Sequence, residues 1–347
     1  MDRDQTLPAR FQKLLDSLEL KERVNGKTVA IKMHLGGGLG YTTIHPLFVR
    51  LLVEHLKAAR ARKVFVTEGY IQDADRRGYT AETLGAPIVQ AFGKDGKDVC
   101  RKNTGWKPMK SVLLSRPILD ADILVNFSHV KAHGDAGFGG ACKNLGMGCV
   151  PTKTRGKIHS LEGTLTWSRN TCTLCRKCVK ECAMNAASFN DRGEFQIFWH
   201  NCKMCLHCML ICPTGAIRIE KSDSDLMQEG LARTAKAVID SFKPEHVTHI
   251  NILTNITLFC DCWGITTPSL VPDIGIFAGQ DIVAVEDASL RSVKTKNLIP
   301  GSITPPFSLG KGAHLFEKLH AKDPFGQIRA LEKLRTGSSS YRVVTIK

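Results

Sequence analysis

Residues 28–56 read TVAIKMHLGGGLGYTTIHPLFVRLLVEHL and have the pattern of a strand followed by a helix. The run at 28–33 is rich in β-branched residues and predicts a strand that ends in a glycine-rich loop. Pro46 then opens an amphipathic helix, and the run KVFVTE at 63–68 predicts the next strand. Because parallel neighbours need a crossover between them, this order predicts a parallel pair.

The same alternation continues along the chain and predicts an α/β fold, with a mostly parallel sheet and flanking helices. Further strands are predicted at 122–127, 249–253, 272–277, 280–285 (running into a helix) and in the tail 337–347. Helices are predicted in the first 25 residues, over 80–92 and over 231–242. A small α+β insertion of the bacterial-ferredoxin type, with strands at 195–199 and 216–219, interrupts this fold. The predicted boundaries are 1–165 and 223–347 for the two parts of the α/β domain and 166–222 for the insertion.

The insertion is predicted from two copies of one cysteine pattern, CTLCRKCVKEC at 172–182 and CKMCLHCMLICP at 202–213. Cysteines at i, i+3 and i+6 place three thiolates around one iron–sulfur cube, and the fourth cysteine reaches the neighbouring cube. The pattern therefore predicts two 4Fe–4S clusters with crossed ligands. The first would be held by Cys172, Cys175, Cys178 and Cys212, and the second by Cys202, Cys205, Cys208 and Cys182.

Zinc knuckles and a disulfide framework both fit these cysteines less well than clusters do. Zinc knuckles favour paired Cys-x-x-Cys units with four ligands each. A disulfide framework requires an oxidising compartment, and the charged N-terminus has no apolar signal core. No apolar run approaches the ~20 residues that span a bilayer. The sequence thus predicts a cytoplasmic protein without a membrane span, in a largely anaerobic setting.

The charge predicts the kind of partner. The formal net charge of the 347 residues is +15 with every cysteine neutral. Two oxidised clusters of about −2 each would lower it to about +11. This surplus favours an acidic electron carrier, such as a ferredoxin or flavodoxin, and an anionic small-molecule substrate. The cations are spread along the chain without a nucleic-acid-binding motif, and no feature predicts an oligomeric state.

Polar residues follow three of the predicted strands, and in an open parallel sheet ligands bind beyond these strand ends. The candidate catalytic residues are Lys32, His34, His129, Lys131, His133, Lys143 and Asn144. Cys260 and Cys262 are candidates for a third metal site or a thiol nucleophile, although buried apolar cysteine is the common default. The backbone of Gly36, Gly37 and Gly38 could hold an anionic group, or form a plain turn, since the loop lacks G-x-G-x-x-G spacing.

Some of these residues have a simpler alternative. His129 and His133, four residues apart, could share a metal ion or bond locally in a loop. Cys100 has no supporting context and is expected to be inert, whereas Cys142 and Cys149, close to the glycines of 137–148, remain open.

The chain resembles a bacterial and archaeal family, domain of unknown function number 362, whose members are iron–sulfur centre proteins of uncharacterised reaction. The resemblance covers about residues 27–345. It is carried by VAIKMHLG (29–36), NFSHVKAHGDAGFGGACKNLGMGC (126–149), GKIH (156–159), CDCWG (260–264), PDIGIFAGQDIVAVEDASL (272–290) and HAKDPFGQIRALEKL (320–334). One departure is Ala183, where proline commonly follows the fourth cysteine; proline is not a ligand. The resemblance implies two 4Fe–4S clusters and a cytoplasmic, largely anaerobic setting.

Three functions follow from these observations. The leading interpretation is an iron–sulfur oxidoreductase that takes electrons from an acidic carrier and acts on an anionic substrate in the strand-end pocket. The alternative is a non-catalytic ferredoxin-type carrier or an assembly factor for a partner enzyme. A basic nucleic-acid-binding protein with structural clusters is the third, and its affinity would fall steeply with salt.

Overall fold

The structure, a computed structural model, describes residues 3–182, 185–198, 202, 206–220, 223–303, 305 and 307–346. Its strands are β1 (Thr28–Lys32), β2 (Lys63–Glu68), β3 (Ile88–Gln90), β4 (Val99–Asn103), β5 (Ser111–Ser115), β6 (Ile123–His129), β7 (Lys131–His133), β8 (Gly137–Gly139), β9 (Thr164–Trp167), β10 (Ala187–Phe189), β11 (Phe195–Ile197), β12 (Ile217–Glu220), β13 (Val247–Leu253) and β14 (Gly275–Gly279). Its helices are α1 (Leu7–Ser17), α2 (Leu20–Val24), α3 (Pro46–Ala58), α4 (Ala81–Leu84), α5 (Arg116–Leu119), α6 (Ala141–Gly146), α7 (Thr152–Ser160), α8 (Lys177–Lys180), α9 (His207–Leu210), α10 (Ser224–Ile239), α11 (Ile282–Ser292), α12 (Leu315–His320) and α13 (Gly326–Lys333).

A mostly parallel sheet forms the centre of the fold. Its order within the described residues is β14-β13-β6-β1-β2-β3, and only the β13–β14 pair is antiparallel. Every residue of β6 and β13 is buried, because helices cover both faces. Helices α1 and α3 pack on one face, and α10, α11 and α13 contribute to the core on the other. The predicted α/β class is confirmed.

Small antiparallel pairs lie in the segment that interrupts this sheet. β9 pairs with β12 and brings the two ends of the segment together, and β10 pairs with β11 between them. Both cysteine motifs lie between β9 and β12 in sequence. The predicted strands at 195–199 and 216–219 correspond to β11 and β12, although residue 199 lies outside the described residues. The exact domain boundaries stay a prediction.

Two predicted elements have a different structure because a local cap overrides the apolar pattern. The helix predicted over 80–92 ends as α4 at Leu84, where Gly85 adopts a φ of +71°, and residues 88–90 then pair with β2. The strand predicted at 280–285 is instead the start of α11. The Asp281 side chain accepts hydrogen bonds from the backbone N–H groups of Val283 and Ala284, which is an N-cap.

The predicted terminal strand is also wrong. Residues 337–346 form no strand, and side-chain contacts anchor them instead. The Ser338 N–H donates to Asp281, and the Tyr341 hydroxyl donates to Asp287 at 2.8 Å. At the other end of the chain, the predicted amphipathic helix is present as α1 and α2. Among the described residues, none of the helices combines the length and apolar character that crossing a membrane requires.

Candidate functional site

A cavity of about 500 Å³ lies where the central strands end. Most of the residues predicted from strand ends line it: His34, Gly37, Gly38, His129, Lys131, His133, Lys143, Asn144, Cys260 and Cys262. Lys32 does not, because its side chain is fully buried behind the cavity wall, and Gly36 lies outside the lining as well. The chain thus brings three sequence-distant segments together at one sheet edge, as parallel strands require.

Asp261 organises the Cys260–Cys262 turn from beneath. Its buried carboxylate accepts hydrogen bonds from Nδ1 of His129 at 2.9 Å and from Nζ of Lys131. Burial alone would raise the pKa of Asp261, but Lys131 and His129 hold that pKa well below its usual range. Nε2 of His129 lies 2.7 Å from the carbonyl oxygen of Thr254. Both ring nitrogens of His129 are therefore engaged by groups outside its own strand.

The glycine loop packs against this turn by backbone contact. The Gly37 N–H donates to the Asp261 carbonyl oxygen at 3.0 Å. A Cβ at Gly38 would lie 3.0 Å from the Gly264 oxygen, and one at Gly264 would lie 2.9 Å from the Gly37 carbonyl carbon. Both glycines also have positive φ, +47° and +70°. The loop therefore has a packing role, and binding of an anionic group by its backbone stays a prediction.

Lys143 and His133 surround the two thiols. Nζ of Lys143 lies 3.7 Å from Sγ of Cys260 and 4.0 Å from Sγ of Cys262. Burial opposes ionisation of Cys260, yet the hydrogen bond from Cys262 and the charges of Lys143 and Lys131 hold the Cys260 pKa well below its usual value. Burial likewise disfavours the charge of Lys143, but the nearby Cys260 and Cys262 raise its pKa. These shifts favour a thiolate at Cys260 that pairs with the ammonium group of Lys143.

His133 contributes as a hydrogen-bond donor. Its Nδ1 accepts from the backbone N–H groups of Asp135 and Ala136 at 3.1 and 3.2 Å. The ring hydrogen therefore lies on Nε2, which is 3.8 Å from Sγ of Cys262. Burial lowers the pKa of His133 well below the usual value, so the ring is neutral. Neither His133 nor His129 bonds only within its own loop.

Behind the cavity, Lys32 and Asn144 connect β1 to α6. Nζ of Lys32 lies 3.1 Å from Oε2 of Glu68 and 2.8 Å from Oδ1 of Asn144. Nδ2 of Asn144 donates to the Lys32 carbonyl oxygen at 2.9 Å and to Asn126 at 2.7 Å. Lys32 therefore supports the site from within the core and does not face a substrate. Asn144 does both.

Sequence reasoning missed several lining residues. Glu68 ends β2 and accepts from Lys32, and Arg155 donates from α7 to the Met147 carbonyl oxygen at 2.9 Å. The strand-end rule that selected His34 applies equally to Glu68. Nothing in the local sequence marks Arg155, because its approach to the cavity depends on how α7 packs. The remaining lining residues include Asp135, His159, His207 and Trp263.

Glu286 supports the segment of the cavity wall at Gly140. Oε1 of Glu286 accepts from the Ala141 N–H and from Nδ2 of Asn251, the latter at 3.1 Å. Burial raises the pKa of Glu286 from 4.5 to about 7. Between these pH values the folded state keeps a proton that the unfolded state has lost, so this carboxyl makes stability fall as the pH rises.

A Glu286→Gln variant is therefore expected to gain stability relative to the unchanged protein as the pH rises from 4.5 to above 7. The difference should reach about 3 kcal/mol, since one pKa unit corresponds to about 1.4 kcal/mol. Anaerobic urea denaturation of both proteins across this pH range measures it. Parallel stability profiles for the two proteins would show that Glu286 does not titrate in this window.

Four predicted cluster ligands surround one small cavity in the insertion. They are Cys172, Cys175, Cys178 and Cys212. Three come from the first motif and one from the second, so the space is formed by both motifs. The Ala216 N–H donates to Sγ of Cys212 at 3.3 Å, and the Leu174 N–H donates to Sγ of Cys172 at 3.4 Å. Four thiols around one space, with N–H groups directed at sulfur, fit a four-thiolate iron–sulfur cube.

The other cysteines of the motifs line the large cavity. Cys182, Cys202 and Cys208 are part of its wall, and Cys205 lies outside the described residues. The Ala186 N–H donates to Sγ of Cys182 at 3.2 Å, which repeats the contact at Cys212. These three thiols therefore fit a second cube whose fourth ligand would be Cys205.

The two motifs also share backbone geometry. Arg176 and Leu206 occupy equivalent positions, and both have positive φ (57° and 61°) before a one-turn helix. His207, in the second of these helices, stacks on Trp263, which directly follows Cys262. This aromatic pair joins the second motif to the turn that carries the two cavity thiols.

The remaining described cysteines lie outside the lining of both cavities. Cys142 and Cys149 are buried in the hydrophobic core, and burial raises the pKa of both thiols, that of Cys149 to about 12. Cys100 is half-buried in β4, away from both cavities. These three residues therefore offer control positions for cysteine substitution.

Comparison with known proteins identifies a family for the chain. None of the curated proteins matches the sequence. Among solved structures, a Thermotoga maritima protein matches with 10% identity and a TM-score of 0.41, over 73% of this chain and 52% of that one. The lactate racemase apoprotein from Thermoanaerobacterium thermosaccharolyticum matches with 12% identity and a TM-score of 0.40, over 82% of this chain and 55% of that one. The chain thus spans about half the length of each.

A family sequence profile matches residues 29–291, and the chain therefore belongs to the family described as domain of unknown function (DUF362).

Proposed function

We propose that the protein is an iron–sulfur oxidoreductase with two 4Fe–4S clusters, acting on a small anionic substrate in the strand-end cavity. One observation carries the proposal: three cysteines of the two motifs, Cys182, Cys202 and Cys208, line the same cavity as Lys131, Lys143 and the Cys260–Cys262 turn. The first cluster would be held by Cys172, Cys175, Cys178 and Cys212, and the second by Cys202, Cys205, Cys208 and Cys182. When bound, such clusters supply one-electron transfer.

The cations of the cavity would bind and orient the substrate. Lys131 and Lys143 both line the cavity. Arg155 adds a guanidinium to the lining. Positive groups fixed by buried hydrogen bonds need little reorganisation when negative charge develops on a substrate, which is the most effective form of electrostatic stabilisation.

Asp135 would hold a proton for the reaction. It is buried in the cavity wall, and its Oδ2 has no hydrogen-bond partner, with Nδ1 of His159 lying 3.8 Å away. Burial raises the pKa of Asp135 to about 7. A carboxyl that titrates near neutral pH is suited to donate and accept a proton at Oδ2.

An acidic electron carrier would dock beside the first cluster. Cys175 is exposed there, and its neighbours Arg176 and Lys177 are exposed as well. Lys180 and Arg169 extend the positive surface. Electrostatic complementarity of this kind speeds association with a ferredoxin or flavodoxin, and the rate should fall as salt is added.

The test uses anaerobically purified protein that has been chemically reduced and is then mixed with small oxidants. Anionic oxidants are compared with neutral analogues of the same redox type, and recovery of the oxidised-cluster absorbance gives the rate. In Lys143→Met, the rate of reaction with anionic oxidants is expected to fall at least about tenfold, because one charge-assisted hydrogen bond to the oxidant is lost. Neutral analogues should react at unchanged rates.

Lys102→Met is the matched control, because Lys102 is an exposed lysine in β4 outside the cavity. It removes the same charge from the chain and should leave all rates unchanged. Equal rates in the Lys143 and Lys102 variants would contradict a role of the cavity in binding oxidants. That result would favour the non-catalytic carrier or assembly factor.

A further inference from the structure

His34 carries a buried ring nitrogen without a partner. Its Nδ1 lies 3.1 Å from Oε2 of Glu68, while Nε2 is buried with no hydrogen-bond partner. Nζ of Lys32 also donates to this Oε2, at 3.1 Å, so the oxygen acts as a hydrogen-bond acceptor. A ring hydrogen on Nδ1 of His34 satisfies the same acceptor, and the lone pair then lies on Nε2.

This arrangement is the one that metal-binding histidines show. A ligating histidine donates its other ring N–H to a carboxylate, which fixes the tautomer and makes the free nitrogen a better ligand. A ring nitrogen of His34 and the Sγ atoms of Cys260 and Cys262 all lie within 4.8 Å of one another. We propose that Nε2 of His34 and these two sulfurs bind one divalent metal ion, separate from the iron–sulfur clusters.

The neighbouring histidines do not complete the ligand set. Nδ1 of His133 accepts from two backbone N–H groups, so its Nε2 carries a hydrogen directed at Cys262. His129 uses both ring nitrogens on Asp261 and Thr254. Three ligands remain, and all three residues line the cavity. Two cysteines and one histidine with a fourth position open to substrate form a catalytic type of zinc site.

The surrounding charges suit a metal ion that takes an anionic fourth ligand. Two thiolates and a neutral imidazole cancel the charge of a dication, so the Lys143 ammonium leaves the centre with a net positive charge. Nζ of Lys143 lies within 4.0 Å of both sulfurs and can donate to them. Two sulfurs and one nitrogen select a borderline-soft ion such as Zn²⁺ over Mg²⁺ or Ca²⁺. This proposal concerns the same cavity as the proposed function but does not depend on any electron transfer there.

The test is zinc retention by the cluster-loaded protein. Protein with its full iron content is equilibrated with Zn²⁺, passed through a desalting column under anaerobic conditions and analysed for zinc and iron together. The unchanged protein is expected to retain one zinc per chain. Cys262→Ser and His34→Ala should each retain less than a tenth of that amount at the same iron content. Cys100→Ser, which removes a cysteine far from the cavity, should retain one zinc.

Glu68 gives a finer test of the geometry. Glu68→Gln is expected to weaken zinc binding by about 10- to 100-fold without abolishing it, the usual cost of losing the carboxylate behind a ligating histidine. If the His34→Ala protein does not fold, His34→Gln takes its place, because it also removes the ring nitrogen and leaves Glu68 paired with Lys32. The proposal is overturned if the unchanged protein retains no zinc or if the His34 and Cys262 variants retain as much. Zinc that rises only as iron falls would also overturn it, because that zinc occupies cluster cysteines.

Discussion

A Cys178→Ala/Cys212→Ala double variant is expected to keep four irons of eight, although its two substitutions lie in different sequence motifs. Both thiols belong to the set around the small cavity of the insertion. Once one of them is replaced and that cluster is lost, replacing the other removes no further iron. Cys178→Ala/Cys182→Ala, with both substitutions in the first motif, is expected to lose all eight. Iron and sulfide analysis of anaerobically purified protein measures both.

The opposite pattern would contradict crossed ligation. If each motif held its own metal centre, the Cys178/Cys182 double variant would lose one centre and the Cys178/Cys212 double variant would lose both. Cys100→Ala is the control, and it should keep the full iron content, because Cys100 lies away from both cavities. Reduced-state electron paramagnetic resonance of the Cys178/Cys212 variant should show one cluster signal, from the cluster proposed beside the large cavity.

Glu68→Gln is expected to destabilise the protein by about 3–5 kcal/mol, the usual cost of leaving one partner of a buried ion pair uncompensated. The Lys32 side chain is fully buried and that of Glu68 is 3% exposed, with 3.1 Å between Nζ and Oε2. Lys32 would keep its contacts with Asn144 and the Met33 carbonyl oxygen, but its buried positive charge would lose the carboxylate that neutralises it. The midpoint of anaerobic urea denaturation should fall accordingly.

Glu54→Gln is the matched control. Glu54 pairs with Arg50 at 2.6 Å on the surface of α3, where the two side chains are 52% and 42% exposed. An exposed pair contributes about 0–1 kcal/mol, so this variant should denature at nearly the same urea concentration as the unchanged protein. A Glu68→Gln loss no larger than that of Glu54→Gln would show that the buried pair does not contribute as its burial implies. Lys32→Met/Glu68→Gln should recover much of the loss, because no buried charge remains unpaired.

Much of the site was predictable because strand ends converge by geometry. The carboxyl ends of parallel strands share one sheet edge, so residues as distant in sequence as His34, Lys131 and Cys260 could be assigned to one cavity. What a strand-end rule does not give is the direction of each side chain. Lys32 is two residues before His34 and points into the core, and its pairing with Glu68 depends on the neighbouring strand.

Local capping explains the elements that the sequence pattern did not predict. The apolar run after Asp281 fits a strand or a buried helix equally well, and the Asp281 cap decides for the helix. Hydrogen-bond direction is similarly inaccessible from sequence. Nothing in the HVKAH segment indicates that both histidines have partners that prevent metal binding, whereas His34, at the start of the glycine-rich loop, keeps a free nitrogen.

We propose two 4Fe–4S clusters in the insertion, one of them against the basic cavity. Iron and acid-labile sulfide are to be measured per chain on anaerobically purified protein. Eight irons and eight sulfides are expected. Two zinc ions per chain with no sulfide would contradict it, since the cysteine motifs would then be zinc knuckles and the cavity would have no electron-transfer centre beside it.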